Sequence, residues 1–316
     1  MIKVEHITKK YGKIEALCDL SFEVQAGEIY GVIGPDGAGK TTLFRILTTL
    51  ILADSGKAFL NGWDVKKDYQ LIRNNIGYMP GRFSLYQDLS VEENLQFFAS
   101  IFNTQIETNY HLIKDIYQQL EPFKKRRAGA LSGGMKQKLA LCCALIHKPM
   151  ILFLDEPTTG VDPVSRKELW DLLKQLKSEG ITIMVSTSYM DEAGRCDRIA
   201  LMLKGRFLSV DTPQNIVNNY TDDLLAVSSL DMSILLTDLK NYPAVKTCYA
   251  FGDVHHINLH PQTNVNTTPQ QALQTYLESL HHQELSIRKI EASIEDCFME
   301  LAARSAVESN KPKQYV

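Results

Sequence analysis

The sequence lacks an apolar run long enough to cross a membrane. Its longest such stretches, Leu139 to Ile146 and Met150 to Leu154, fall well short of the roughly 20 residues that a spanning helix needs. The start, MIKVEHITKKYG, has no apolar centre of the kind that a signal peptide carries. If this protein acts at a membrane, we expect another protein to supply the spans.

Cysteine pairs and a strong net charge are also missing. The six cysteines show no CxxC spacing, which is typical of reduced, buried thiols in a cytosolic protein. A formal net charge of −3 argues against a nucleic-acid binder that relies on bulk positive charge. The 316 residues, of which 44% are apolar, predict one large globular domain and a smaller one.

Over residues 1–220, short apolar runs alternate with helical periods, which predicts an α/β fold. Half-exposed alternation from Val4 to Val24 and from Lys57 to Leu60 predicts an antiparallel flank, and the spacing between Val91 and Ala128 predicts helices. Near-continuous apolar runs predict a parallel sheet that is covered on both faces. These runs are Ile29–Ile33, Ile76–Met79, Ile151–Leu154 and Ile181–Ser186.

The residues after Tyr220 follow a different order. Strand, helix, a strand with a turn at Gly252-Asp253, helix, strand and helix follow one another, which predicts a small α+β domain over residues 221–306. The polar end of the chain, residues 307–316, is predicted to be disordered. His255, His256 and His260 could suggest a metal site, but alternation within an exposed strand explains them more simply.

A glycine-rich segment, GPDGAGKTT, lies between the first predicted buried strand and a helix. It matches the pattern GxxxxGK[ST] in full, in the context that this pattern requires. Backbone amides of such a loop point at phosphate oxygens, Lys40 adds positive charge, and the Thr41 hydroxyl ligates Mg²⁺. An unliganded glycine-rich turn is the weaker alternative. The predicted nucleotide-binding residues are Gly34, Pro35, Asp36, Gly37, Ala38, Gly39, Lys40, Thr41 and Thr42, called the phosphate loop below.

A second motif, ILFLDE at residues 151–156, is a buried strand that ends in two carboxylates. Asp155 can hold the metal ion and Glu156 can polarise an attacking water. Alone, two acids at a strand end could equally be structural. Together with Lys40 they predict a site that hydrolyses a nucleotide, with Glu156, Lys40 and Asp155 as the catalytic residues.

A third motif, LSGGMKQK at residues 131–138, is called the signature segment below. Ser132 is a natural helix N-cap, and two glycines leave the next amides open to an anion. Because the phosphate loop already holds one nucleotide's phosphates, we interpret this second anion site as serving another chain. The segment resembles the signature of the ATP-binding cassette (ABC) family, whose helix caps ATP on the opposing subunit of a head-to-tail dimer. The residues that the resemblance assigns to that role are Ser132, Gly133, Gly134 and Gln137.

The resemblance covers residues 1–220 and implies a P-loop NTPase fold of ABC type, with ATP and Mg²⁺ as ligands. It implies that Tyr11 stacks on adenine, with a core tyrosine as the alternative, and that Asp162 makes a polar contact across the dimer interface. Leu85-Tyr86 and Val91–Asn94 fit the pattern that flanks the surface for a permease. Core packing explains the apolar members of that set equally well.

Two positions depart from the family pattern. Gly81 stands where the family usually has a glutamine that reaches the Mg²⁺ and the water, and Ser188 stands where it has a histidine that holds the γ-phosphate. Each lost polar contact to a phosphoryl transition state typically lowers the rate roughly 10²- to 10³-fold. We expect the site to bind ATP well and to hydrolyse it slowly.

The phosphate loop, residues 81–95 and residues 186–202 resemble the export branch of the family, and Ser293–Phe298 resembles the accessory domain of exporter ATPases. This implies an ATP-binding subunit at the cytoplasmic face of the membrane, bound to a permease and a second cassette, with no nucleic acid. The second cassette is either another copy or a different protein. A soluble ABC ATPase acting on ribosomes or DNA is the alternative; it normally carries two cassettes in one chain.

Overall fold

The computed structural model describes residues 2–260 and 268–309. The chain forms two compact units. One consists of Met1–Gln214 with Leu301–Val316, and the other of Asn215–Glu300.

The first unit is built on a six-stranded sheet in the order β10-β9-β3-β8-β7-β6. Neighbouring strands from β9 to β6 pair in parallel, and β10 is antiparallel to β9. The predicted parallel sheet is therefore confirmed, and β9 with β10 extends it. The strands are β3 (Ile29–Ile33), β6 (Ile76–Met79), β7 (Ile151–Asp155), β8 (Thr182–Thr187), β9 (Arg198–Leu203) and β10 (Arg206–Asp211).

A second, antiparallel sheet has the order β2-β1-β4-β5, as the half-exposed alternation predicts. Its strands are β1 (Ile2–Tyr11), β2 (Ile14–Val24), β4 (Ser55–Leu60) and β5 (Trp63–Asp64). Helix α1 (Lys40–Leu47) contributes to the core that both sheets share, where Phe44 packs edge-on against Phe153. Because four apolar side chains of α1 are buried in this core, the start of the helix is held in a fixed place.

The other helices of this unit are α2 (Tyr69–Asn75), α3 (Val91–Ile101), α4 (Tyr110–Leu120), α5 (Gly133–Leu145) and α6 (Pro163–Ser178). Helix α7 (Pro213–Asn218) begins at the end of this unit, and most of its residues belong to the second unit. Helices α3 and α4 both pack on α5, which forms the predicted helical subdomain. A reciprocal pair of bonds between Ser90 and Glu93 caps the start of α3. Along the part of the chain that the structure describes, no helix combines the length and the apolar character needed to span a bilayer.

The second unit holds an antiparallel sheet in the order β12-β13-β11-β14. It consists of β11 (Leu224–Ser228), α8 (Met232–Asn241), β12 (Val245–Phe251), β13 (Val254–Leu259), α9 (Pro269–Ser279), β14 (Ser286–Ile290) and the beginning of α10 (Ile294–Ser309). Its core is made of leucine, isoleucine and valine from the sheet and from α8 and α9. The predicted α+β order is confirmed.

Two predictions about this part of the chain need correction. His255 is buried, with Nε2 2.8 Å from the Met232 carbonyl, and His256 is half-buried, with Nδ1 2.8 Å from Asp296. The prediction that His255 and His256 lie on an exposed strand was wrong, because α8 contacts His255 and α10 contacts His256 on opposite faces of β13. Of the tail predicted to be disordered, residues 307–309 continue α10, and residues 310–316 lie outside the described residues.

Candidate nucleotide site

The phosphate loop links β3 to α1 at the carboxyl end of the parallel sheet. Two of its glycines are required by close packing or by backbone conformation. A Cβ at Gly34 would lie 2.1 Å from the Met202 carbonyl oxygen. Gly39 has φ 113°, and a Cβ there would lie 2.4 Å from the Ala16 oxygen. These contacts fix the path of the loop into the helix.

Lys40, the first residue of α1, is almost fully buried, with 5% of its side chain exposed. Its ammonium donates to the carbonyls of Gly34, at 2.5 Å, and Pro35, at 3.1 Å. It also lies 2.9 Å from Glu156 Oε1, an oxygen with no other polar contact among the described residues. The lysine and the carboxylate that the two motifs contribute are therefore in direct contact.

Asp155, the last residue of β7, lies beside the same loop because β7 and β3 flank β8. Its Oδ1 accepts hydrogen bonds from the hydroxyls of Thr41, at 3.2 Å, and Ser186, at 2.5 Å. Burial and then the negative charge of Asp155 raise the pKa of the nearby Tyr78 to about 12. Tyr78 therefore stays a neutral hydrogen-bonding group near the carboxylate.

Glu156 follows the strand with a left-handed φ of 51°, which turns its side chain toward the loop. Its amide donates to Ser186 Oγ at 3.0 Å. Its Oε2 accepts from Thr159 Oγ1 at 3.0 Å and from the amide and hydroxyl of Ser188 at 3.2 and 3.3 Å. Ser188 thus reaches the carboxylate directly, a contact that the sequence did not predict.

Gly81, the other position that departs from the family pattern, lies beside the two carboxylates. A Cβ built on it would be 3.1 Å from the Asp155 carbonyl oxygen and 3.6 Å from Glu156 Cβ. Its backbone does not have a positive φ, so a residue with a side chain is compatible with its conformation after a small shift. The position therefore faces the site but presents no side chain to it.

Residues 36–42 of the phosphate loop and Glu156 border a cleft of about 390 Å³. Tyr11 lines it and is 47% exposed, so the alternative of a core tyrosine is wrong. Lys204 and Glu15 lie on its rim. The cleft combines an aromatic wall, a loop of bare amides and a lysine, the groups that a nucleoside triphosphate needs.

The signature segment lies outside the lining of this cleft. Ser132 caps α5 by accepting from the Met135 amide at 3.4 Å, and Ser132 and Gly133 are exposed. A Cβ at Gly133 would meet no atom within 4 Å. Gln137, one turn further on, donates to the Thr159 carbonyl at 3.3 Å. The start of α5 is therefore an open surface, where the amides of Gly133 and Gly134 have no partner among the described residues.

Asp162 caps α6 in the same way, with Oδ1 accepting from the amides of Val164 and Ser165 at 3.1 and 3.0 Å. Hydrogen bonds from Ser165, foremost its amide, hold the pKa of Asp162 below its ordinary value. Asp162 is exposed, as a contact with another chain requires, but part of its hydrogen-bonding capacity is used locally.

The predicted permease-facing residues divide into core and surface. Leu85 and Val91 are buried, which favours core packing for the apolar members. Asn94 is fully buried and bonds the backbone of Tyr86 on both sides, at 3.1 and 3.0 Å. Tyr86 itself is 51% exposed, with its ring edge-on to Phe97. Of this group, Tyr86 is thus available for docking.

Sequence reasoning missed Glu192, a buried carboxylate that bonds Thr158, two residues after Glu156, and Thr187, directly before Ser188. It lies in a 3₁₀ turn, Met190–Arg195, after β8. The sequence places Asp191 and Glu192 side by side, and a turn this short has no apolar period that shows which of them faces inward.

A parallel sheet with a glycine-rich loop between strand and helix, whose lysine meets carboxylates at the end of a neighbouring strand, defines a P-loop nucleoside triphosphatase. Residues 17–159 match the family described as ABC transporter.

Relatives extend this match along the chain. "Linearmycin resistance ATP-binding protein LnrL" of Bacillus subtilis (strain 168) is 30% identical over 315 residues, covering 96% of this chain and 99% of the relative. "Probable multidrug ABC transporter ATP-binding protein YbhF" of Escherichia coli (strain K12) is 40% identical over 233 residues, or 73% of this chain; the match spans only 39% of that protein's length. The solved "Dimeric Structure of MJ0796, a Bacterial ABC Transporter Cassette" superposes with a TM-score of 0.62 at 26% identity, over 67% of this chain and 98% of that one. The chain belongs to the ATP-binding proteins of the ABC transporter family.

Proposed function

We propose that this chain is the ATP-binding subunit of an ABC exporter and that it couples ATP binding and hydrolysis to export through a separate permease. The contact of Lys40 with Glu156, beside Asp155, carries this proposal, because it joins the phosphate-binding and hydrolytic motifs in one cleft. The full-length similarity to a drug-resistance ATP-binding protein supports the export branch.

ATP and Mg²⁺ are the proposed ligands. Thr41 and Asp155 would hold the metal ion, because both present oxygen atoms, the ligands that Mg²⁺ prefers, and these lie 3.2 Å apart. Bound there, the ion would neutralise charge on the phosphates. Tyr11 would stack on the adenine, and the amides of residues 34–42 would surround the phosphates.

When ATP binds, the contact between Lys40 and Glu156 would be replaced by new contacts of each residue. Phosphate oxygens would compete for the lysine ammonium, which in the structure contacts two loop carbonyls and Glu156 Oε1. Release from the lysine leaves Glu156 Oε1 open to orient and deprotonate the attacking water. Lys40 then stabilises charge that develops on the transferred phosphoryl group.

Hydrolysis at this site is proposed to be slow. Gly81 offers no side chain beside the two carboxylates, and Ser188 reaches Glu156 with a hydroxyl that has neither the length nor the charge of an imidazolium. The site therefore lacks two polar contacts to the γ-phosphate and the water.

The functional unit is proposed to be a head-to-tail pair of cassettes beneath a permease. Ser132, Gly133, Gly134 and Gln137 would complete the partner's ATP site, and Asp162 would contact the partner. The open surface at the start of α5 supports this arrangement, as does the dimeric form of the MJ0796 cassette. Such a subunit would lie at the cytoplasmic face of the membrane, held by the permease.

Co-purification tests the proposal. The tagged chain, isolated from detergent-solubilised membranes of its own host, is expected to bring down an integral membrane protein in a stoichiometric amount. Tyr86→Ala should reduce that yield. Tyr69→Ala should not, because it alters an exposed tyrosine elsewhere, at the start of α2. Recovery of ribosomes or DNA in place of a membrane protein would contradict the proposal.

A further inference from the structure

Glu192 joins the two chain segments that carry the groups around Glu156. Its carboxylate is 3% exposed, and Oε2 accepts hydrogen bonds from two buried hydroxyls. Thr187 Oγ1 donates at 2.6 Å and Thr158 Oγ1 at 3.1 Å. Thr158 lies two residues after Glu156, and Thr187 directly precedes Ser188.

Arg166 of α6 supplies the charge that a buried carboxylate needs. Its Nη2 and Nε lie 2.9 and 3.2 Å from Glu192 Oε1. The same guanidinium covers the Tyr189 ring at 4.3 Å and lies 3.3 Å from Asp191 Oδ2. Glu192 therefore connects three elements: the end of β7, the end of β8 and the helix that Asp162 caps.

Hydrogen bonds of Ser188 and Tyr189 link these contacts to Glu156. The amide and hydroxyl of Ser188 both donate to Glu156 Oε2. The Tyr189 amide donates to Thr187 Oγ1 at 3.1 Å, which orients the chain on the far side of Ser188. Loss of Glu192 would leave two buried hydroxyls and an arginine without their shared acceptor, and the two segments could move apart.

We propose that Glu192 is a positioning residue for ATP hydrolysis: it holds the segment of Glu156 against the segment of Ser188 and ties both to α6 through Arg166. This proposal rests on the proposed function, since it assumes that Glu156 serves hydrolysis. A purely structural carboxylate would affect folding without a separate effect on chemistry.

The test compares hydrolysis with nucleotide binding in the isolated full chain, so that the site of a different partner cassette does not contribute to the rate. For Glu192→Ala we expect the single-turnover rate of ATP hydrolysis to fall at least about tenfold, since a misplacement of the catalytic group by about 1 Å can lower a rate roughly 10²-fold. We expect the dissociation constant for ATP with Mg²⁺ to change less than about threefold, because the phosphate loop makes no contact with Glu192 among the described residues. Glu192→Gln should recover part of the rate, because both threonine hydroxyls can still bond its side-chain amide.

Glu28→Ala is the matched control. Glu28 is also a buried carboxylate beside an arginine, with Oε1 2.6 Å from the Gln25 amide and 3.4 Å from Arg198, but it lies at the amino end of β3. Its loss should lower thermal stability and leave the single-turnover rate within about twofold of wild type. Amide hydrogen exchange at residues 186–189 should rise in Glu192→Ala and stay unchanged in Glu28→Ala.

Thr187→Val keeps the test decisive if Glu192→Ala does not fold. It removes one donor to Glu192 and should lower the rate, whereas Thr182→Val, which alters a buried threonine at the opposite end of β8, should not. A wild-type rate of hydrolysis in Glu192→Ala would overturn the positioning role of Glu192. A rate loss in Glu28→Ala equal to that in Glu192→Ala would do the same. Neither result would affect the proposed function. Failure of the wild-type chain to bind ATP would instead overturn the proposed function.

Discussion

At the scale of single residues, the burial of Lys40 strengthens the interaction that its ammonium can make with a phosphate. Two loop carbonyls and one carboxylate surround its ammonium within 3.1 Å, and 5% of the side chain is exposed. An ammonium removed from water gains more from a phosphate than an exposed one does. Lys40 is therefore the residue on which nucleotide affinity should depend most.

The first prediction concerns this residue. ATP with Mg²⁺ at a hundredfold excess over its dissociation constant should stabilise the wild-type chain by about 2.7 kcal/mol through mass action. Lys40→Ala should abolish the shift in melting temperature. Lys177→Ala, which removes a surface lysine paired with Asp197 at 2.6 Å, should keep it. An unchanged shift in the Lys40 variant would place the nucleotide elsewhere.

The sequence predicted some residues of the site better than others. Lys40, Thr41 and Asp155 belong to contiguous motifs at strand ends, and the carboxyl ends of neighbouring parallel strands meet at one edge of a sheet. Their contacts thus follow from the motif and the fold together. The bonds of Glu192 and Ser188 depend on side-chain directions in a 3₁₀ turn and a loop, where no periodicity reports which side faces inward.

At the scale of secondary-structure elements, the connection between α5 and β7 holds a half-buried histidine. The His147 ring stacks on Phe102, with centroids 3.7 Å apart, and its Nε2 lies 3.0 Å from the Ile76 carbonyl. Its Nδ1 is buried and has no hydrogen-bond partner in the part of the chain that the structure describes. Burial lowers the pKa of His147 to about 4, because the imidazolium would lose its hydration.

The second prediction follows from the sign of this shift. Between the ordinary pKa of about 6.5 and the folded value, the unfolded chain binds the proton more readily, so stability is lost as the pH falls through this range. At pH 5 the loss from this residue should be roughly 2 kcal/mol. Urea unfolding at pH 7 and pH 5 should show that loss in wild type in excess of that in His147→Gln. Equal losses in both proteins would contradict the assignment.

Elements with a strong pattern were predicted closely. The apolar runs of β3 and β6 gave their bounds directly, because both faces of these strands are buried. The run Ile199–Met202 in β9 carries the same signal and was overlooked, and the half-buried edge strand β10 has a weaker one. The prediction that His255 is exposed was wrong, because alternation along β13 does not show that α8 covers the face on which His255 lies.

At the scale of the whole molecule, the chain's two contributions to a cassette dimer are unequal. Near its own cleft, Gly81 has no side chain and position 188 has only a serine. At the start of α5, by contrast, the amides of Gly133 and Gly134 have no partner among the described residues. In the proposed head-to-tail pair, those amides would serve the partner's site. A different, catalytically complete partner cassette would therefore depend on this chain's signature segment more than on its Glu156.

The third prediction tests that inequality in the complex with the permease. Gly133→Asp should stop ATP turnover, because its carboxylate would face the partner's triphosphate, and the open surroundings of Gly133 accommodate it without disturbing the fold. Gly133→Ala should retain more activity, because it adds a side chain without a charge. The difference between the two variants separates charge repulsion of the triphosphate from steric crowding. If the partner is a complete cassette, Glu156→Gln should leave most steady-state activity. Equal and complete losses would indicate a homodimer with two equivalent sites.

We expect this cleft to bind ATP but to hydrolyse it slowly, because Gly81 and Ser188 replace two polar groups of the site. The most direct measurement is single-turnover hydrolysis of ATP by wild type and by the double variant Gly81→Gln, Ser188→His, with Glu156→Gln in the double variant as the control. We predict that wild type turns over well below the ordinary range of roughly 1 s⁻¹ and faster. The double variant should be at least about tenfold faster, and the control should lose the gain. A wild-type rate of about 1 s⁻¹ or more, or no acceleration in a double variant that binds ATP normally, would contradict the account.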